Sequence, residues 1–192
     1  KAGYAADFIT AVSPHLPRIA EHGIKLLANA GGMNPRACAD ALRRAAEAQG
    51  LALRVAVVEG DDLMSARGDI AASQVTEMFS GAPLPSSLAS MNAYLGALPV
   101  AAALEKGADV VITGRCVDSA LSLGALIHRF GWSAHDYDRL AAGSLVGHIL
   151  ECTTQTTGGL YTDWWRVPGW ENMGFPIADC NADGSFHLEK PP

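Results

Sequence analysis

The stretch Val110-Val111-Ile112-Thr113-Gly114-Arg115-Cys116-Val117-Asp118-Ser119 decides the fold. A short apolar run stops at Thr-Gly-Arg, and a helical pattern follows from Asp118. That is the signature of a buried parallel strand, a tight turn, and a helix beginning beside the strand's C-terminal end. Open α/β sheets bind ligands at that end. Two earlier stretches share the form. Ile24-Lys25-Leu26-Leu27-Ala28 runs into Asn29-Ala30-Gly31-Gly32-Met33-Asn34, and Val55-Ala56-Val57-Val58 runs into Glu59-Gly60-Asp61-Asp62. Three polar, glycine-bearing turns at equivalent positions point to one shared site.

Outward from these strands, residues 4–21 have helical spacing interrupted by Pro14 and Pro17. Asn34 before Pro35 is an N-cap and N1 pair opening a helix over 35–49. Residues 67–87 read mostly as a loop with one helix near 71–79, an excursion that forms a lid or contact surface. Residues 89–106 read as a helix, as do 118–129 and 136–151. After 152 the pattern turns polar, glycine-rich and aromatic. Asn181-Ala182-Asp183-Gly184 between 177–180 and 185–188 is a β-hairpin signal. The fold class is therefore α/β: a mainly parallel, Rossmann-like three-layer sheet, incomplete, with a β-rich C-terminal extension. The division is an α/β core over 1–152 and a loop and hairpin extension over 153–192. Because Lys1 is not methionine and the chain opens in a helical pattern, the sequence reads as an internal fragment lacking an N-terminal strand.

Composition excludes several classes. The 192 residues are 49% hydrophobic and 18% charged, a globular balance. A net charge of −6 with no basic run beyond Arg43-Arg44 gives a nucleic-acid partner no electrostatic support. No apolar run reaches the roughly 18 residues of a membrane span, and no signal-peptide core is evident. Cys38, Cys116, Cys152 and Cys180 are widely spaced, without a CxxC pair. They indicate neither a disulfide framework nor a zinc site, and read as thiols of a reducing cytoplasm.

Several residues have chemistry to offer. Arg115 is placed to clamp a carboxylate or phosphate in a bidentate fork; the plainer alternative is a salt bridge to Asp118 or Asp61. Glu59, Asp61 and Asp62 form an acidic turn suited to acid–base work or to a divalent metal, although no metal ligand set is complete; the alternative is helix capping. Asn29, Gly31, Gly32 and Asn34 offer backbone N–H groups at a helix N-terminus. They match neither GxGxxG nor a P-loop, so no nucleotide cofactor is indicated and the cofactor stays open. Thr156-Thr157-Gly158-Gly159 is a second, unspecific cradle. Cys116, near a helix start, reads as a buried thiol. His148 shares a helix face with Ser144 and Cys152 and reads as structural or as a general base. GxSxG is absent.

The runs Asn29-Ala30-Gly31-Gly32-Met33-Asn34-Pro35, Val58-Glu59-Gly60-Asp61-Asp62-Leu63, Asn92-Ala93-Tyr94-Leu95-Gly96, Val111 to Ser119, Ala142 to Cys152 and Gly174-Phe175-Pro176-Ile177-Ala178 resemble, in order and spacing, the acyclic terpene utilisation (AtuA) family. The resemblance implies a bacterial, cytoplasmic protein of citronellol- and geraniol-type terpene degradation, where intermediates are CoA thioesters. It implies a family domain extending beyond both ends of this chain, and a role near the lyase step on 3-hydroxy-3-isohexenylglutaryl-CoA, beside acyl-CoA carboxylases and enoyl-CoA hydratases. It names a pathway rather than a reaction.

Two functions follow. The first is an enzyme of acyclic terpene or branched acyl-CoA catabolism, with a lyase- or hydratase-type step. Glu59, Asp61, Asp62, Arg115 and Asp118 would be its catalytic set, and Asn29, Gly31, Gly32, Asn34, Asn92, Thr113 and Gly114 its acyl-CoA-binding set. The second is a non-catalytic binding or assembly subunit of an acyl-CoA enzyme. A homo-oligomer is compatible with either.

Overall fold

The computed structural model describes residues 2–191. Lys1 and Pro192, and with them the reading of the chain's two ends, lie outside the described residues. The chain divides into two compact units, Lys1–Leu95 with Asp109–Cys116, and Gly96–Ala108 with Val117–Pro192.

The first unit is built on three parallel strands. α1 (Ala6–Val12) and α2 (Leu16–His22) are joined by a 3-10 turn, Ser13–His15. Pro14 and Pro17 each fall in the first turn of a new element, where a missing N–H costs nothing. Gly23, left-handed at φ 62°, ends α2, and β1 (Leu26–Ala28) follows. α3 (Pro35–Glu47) begins as expected: Asn34 accepts a hydrogen bond from the Ala37 N–H at 3.2 Å. β2 (Val55–Val58) precedes a 3-10 turn and α4 (Arg67–Ala72). β3 (Val110–Thr113) lies between β1 and β2, paired parallel with both.

The register explains the core. Leu26, Val110 and Val55 lie side by side, and so do Ala28, Ile112 and Val57. These face Leu16 and Ile19 of α2 and Cys38, Ala39, Leu42 and Ala46 of α3. Every residue of β3 is buried, on both faces, as a central parallel strand requires. At the N-terminal edge, Asp109 accepts hydrogen bonds from Lys25 Nζ at 2.8 Å and the Arg54 N–H at 3.0 Å, tying all three strands together.

The second unit is mainly helical. α5 (Leu98–Glu105), α6 (Ala120–Phe130) and α7 (Tyr137–Glu151) pack through glycines. A Cβ at Gly124 would lie 2.7 Å from Val100 Cβ, and one at Gly143 would lie 2.7 Å from Leu123 Cδ1. Trp132 is buried and donates from Nε1 to Ala182 O at 2.9 Å. That bond anchors the antiparallel hairpin of β4 (Ile177–Cys180) and β5 (Phe186–Glu189), whose turn is the expected Asn-Ala-Asp-Gly.

Two expectations need correction. The helix over 89–106 begins only at Leu98. Pro99 lacks an N–H and belongs in a first turn, so 89–97 cannot belong to the same helix. Residues 91–95 instead run extended, bridging Asn92 to Asp62 and Leu95 to Cys116. The helix placed near 71–79 lies at Arg67–Ala72 instead, because the Glu77 side chain accepts from the Phe79 and Ser80 N–H groups and holds a turn there. The C-terminal extension carries the expected hairpin, and turns precede it. Thr153–Gln155, Trp164–Arg166 and Trp170–Asn172 are 3-10 turns.

Candidate functional site at the strand ends

Because all three strands are parallel, their C-terminal ends open at one edge, and the three polar turns meet there. Gly31 permits the first contact. A Cβ on it would fall 2.5 Å from Thr113 O, so only glycine lets the first turn reach the end of β3. Gly114 N–H donates to Val58 O at 3.4 Å, joining the third turn to the second strand.

Asp61 organises the second and third turns. It is 5% exposed. Its Oδ2 accepts from the Arg115 N–H at 2.8 Å and from Asn92 Nδ2 at 3.1 Å. Asp61 O accepts from the Ala93 N–H at 2.8 Å, which draws 91–95 alongside. A buried carboxylate held by donors in this way fixes neighbours rather than meeting ligand.

Above Asp61 lies a recess of about 300 Å³ lined by Asn29, Gly32, Met33, Ser90, Asn92, Gly114 and Arg115. Arg115 is exposed, and its guanidinium carbon sits 5.5 Å from the Tyr94 ring centroid. Stacking on an aromatic face holds an arginine's fork in one plane while leaving its edge donors available. The recess therefore combines one fixed cation, two carboxamides, a hydroxyl and exposed backbone at Gly32. That set suits an anionic group attached to a carbonyl-bearing chain.

Of the residues singled out in the sequence, Asn29, Gly32, Asn92, Gly114 and Arg115 come together in the recess. Gly31, Asp61 and Thr113 pack behind it. Thr113 is fully buried and donates to Gly114 O at 3.0 Å, which shapes the turn. Asn34 caps α3. Glu59 is exposed and ion-paired with Arg36. Asp62 is exposed, and its carboxylate accepts from the Met64 N–H at 2.9 Å. Asp118 belongs to the second unit. Sequence reasoning missed Met33, Ser90 and Tyr94. Two of these lie on 89–97, and Pro99 was the signal that this segment is not helix.

Burial raises the Cys38 thiol above its usual value. Among the described residues, no helix is long and apolar enough to cross a membrane.

Fold and site together define an α/β protein whose three parallel strands end at a recess carrying Arg115. The model of the acyclic terpene utilisation family AtuA matches residues 1–192, and the chain belongs to that family. Membership links the chain to acyclic terpene utilisation. No curated protein and no solved structure matches the chain.

Proposed function

We propose that the chain is an enzyme of acyclic terpene or branched acyl-CoA catabolism, acting on a CoA thioester in a lyase- or hydratase-type step. The observation that carries this reading is Arg115. Its backbone is fixed by buried Asp61 and its guanidinium is stacked on Tyr94 at the open end of the central strand. A CoA thioester offers phosphates, and a glutaryl-type acyl group adds a carboxylate; a planar arginine fork binds either in two parallel hydrogen bonds. Asn29 and Asn92 carboxamides then meet the thioester carbonyl and its neighbouring hydroxyl. Asp61 keeps Arg115 and Asn92 in place. Glu59 and Asp62, both exposed on the same turn, would supply proton transfer once Glu59 leaves its pair with Arg36. The working compartment in this reading is the cytoplasm.

Thermal-shift measurements against branched acyl-CoA thioesters test the reading. A ligand at a hundredfold excess over its dissociation constant stabilises the native state by about 2.7 kcal/mol. Stabilisation by a branched thioester beyond that given by free CoA supports it. Absence of a shift with any thioester moves the weight to the second reading.

That second reading, a non-catalytic subunit of an acyl-CoA enzyme, rests on exposed apolar side chains. Met78 and Phe79 at the tip of one turn are 84% and 88% exposed, and Trp164 and Trp165 in the second unit are 58% and 65% exposed. Large apolar residues in such clusters mark contact surfaces more often than free ones. A stoichiometric acyl-CoA carboxylase or hydratase co-purifying with an inactive chain favours it.

A further inference from the structure

The second unit holds a set of donors that the recess does not use. Asp118 lies in the turn before α6, and His148 and Glu151 are three residues apart on the last turn of α7. One donor atom from each, an imidazole nitrogen and two carboxylate oxygens, lies within 4.8 Å of the others. The two segments are brought together by their backbones. Gly147 precedes His148 and Ser119 follows Asp118, and a Cβ on Gly147 would fall 2.8 Å from Ser119 O. Any side chain at 147 would push α7 off the turn and separate the donors.

The electrostatics of this arrangement are one-sided. Two carboxylates from different elements face one another, and among the described residues neither forms an ion pair with a lysine or arginine. Like charges at this separation repel, and a cation relieves the repulsion.

We propose that Asp118, His148 and Glu151 bind a divalent transition-metal ion through one nitrogen and two oxygens, with the remaining coordination positions open to solvent. The imidazole selects the metal class. Magnesium and calcium take oxygen ligands, whereas zinc and its first-row neighbours favour mixed nitrogen and oxygen sets. Bonds of roughly 2.0–2.2 Å set how closely the three donors must approach one ion. All three side chains are exposed, so rotation about their own bonds allows that approach without disturbing packing. Three protein ligands with an open position are the pattern of a metal that polarises a bound molecule rather than one that holds a fold. The proposal is independent of what the recess in the first unit binds.

Zinc and magnesium titrations of the chelator-treated full chain, followed by calorimetry and elemental analysis, test it. The expected result is one zinc ion per chain, with affinity falling at least tenfold in His148→Ala and in the Asp118→Asn, Glu151→Gln double variant. Circular dichroism should show both variants folded, since the side chains lie at the surface. Cobalt supplies a second readout: its visible absorption should appear with the wild-type chain and weaken in His148→Ala. Zinc binding that survives both variants, or no zinc binding at all, overturns the site. So does magnesium binding as tight as zinc and indifferent to His148, which would leave only a pair of surface carboxylates attracting counterions.

Discussion

Asp61 is the residue whose role differs most from what its surroundings in the sequence suggest. Beside Glu59 and Asp62 it reads as one of three interchangeable carboxylates. In the fold it is buried and accepts from the Arg115 N–H and Asn92 Nδ2, which lie 54 and 31 positions further along the chain. Nothing local in the sequence announces a contact of that range. Asp61→Asn turns an acceptor into a partial donor facing two N–H groups, and is expected to cost about 1–3 kcal/mol in chemical denaturation. Gly114→Ala tests the same contact from the other side, because its methyl would fall 2.6 Å from Asp61 Oδ2. Overpacking of this kind costs roughly 1–3 kcal/mol, and a variant as stable as the parent would mean that the turn has slack. Arg115 differs in kind. Its side chain is exposed, so Arg115→Ala should leave the melting temperature unchanged and affect only binding.

At the scale of elements, the apolar run of β3 was legible because a strand buried on both faces admits no polar residue before its end. The three turns were legible as one site because parallel strands must open at a common edge. The cap at Asn34 was equally local, and Asn34→Ala should destabilise the chain by about 1 kcal/mol. Leu42, fully buried between α3 and the sheet, should cost roughly 2–5 kcal/mol when cut to alanine. Segment 89–97 was misread because its small apolar residues satisfy helical spacing, although Pro99 forbids the continuation. That single error hid Ser90 and Tyr94, and with them the stacking partner of Arg115. Asp109 makes an element-level prediction in pH. Burial pushes its carboxyl up, but hydrogen bonds from Lys25 and Arg54 outweigh this and hold it below the ordinary aspartate value. A folded-state value that is depressed stabilises the protein above the unfolded value, near 3.9. The gain disappears as pH falls through the folded value. The stability gap between wild type and Asp109→Asn should therefore be widest near neutrality and close below about pH 4. A gap that stays constant across that range would remove the carboxylate's charge from the explanation.

At the scale of the molecule, the chain order and the compact units do not coincide. β3 belongs to the first unit, while α5 before it and α6 after it belong to the second. A chain cut after Leu95 would keep β1 and β2 but lose the strand with which both pair. It should fail to give a cooperative thermal transition by circular dichroism; a sharp transition would show that the helices alone hold the first unit together. Asp118 and His148 were visible in the sequence but not as partners, because the turn before α6 and the end of α7 meet only in the fold. The central claim concerns the edge where the strands end, and calorimetric titration of a branched acyl-CoA into the wild-type chain and into Arg115→Ala tests it most directly. Loss of a charged hydrogen-bonding pair is worth about 1.5–3 kcal/mol, so affinity should fall at least tenfold in the variant while its melting temperature holds. Equal affinity in the two proteins would contradict the assignment of the recess as the ligand site.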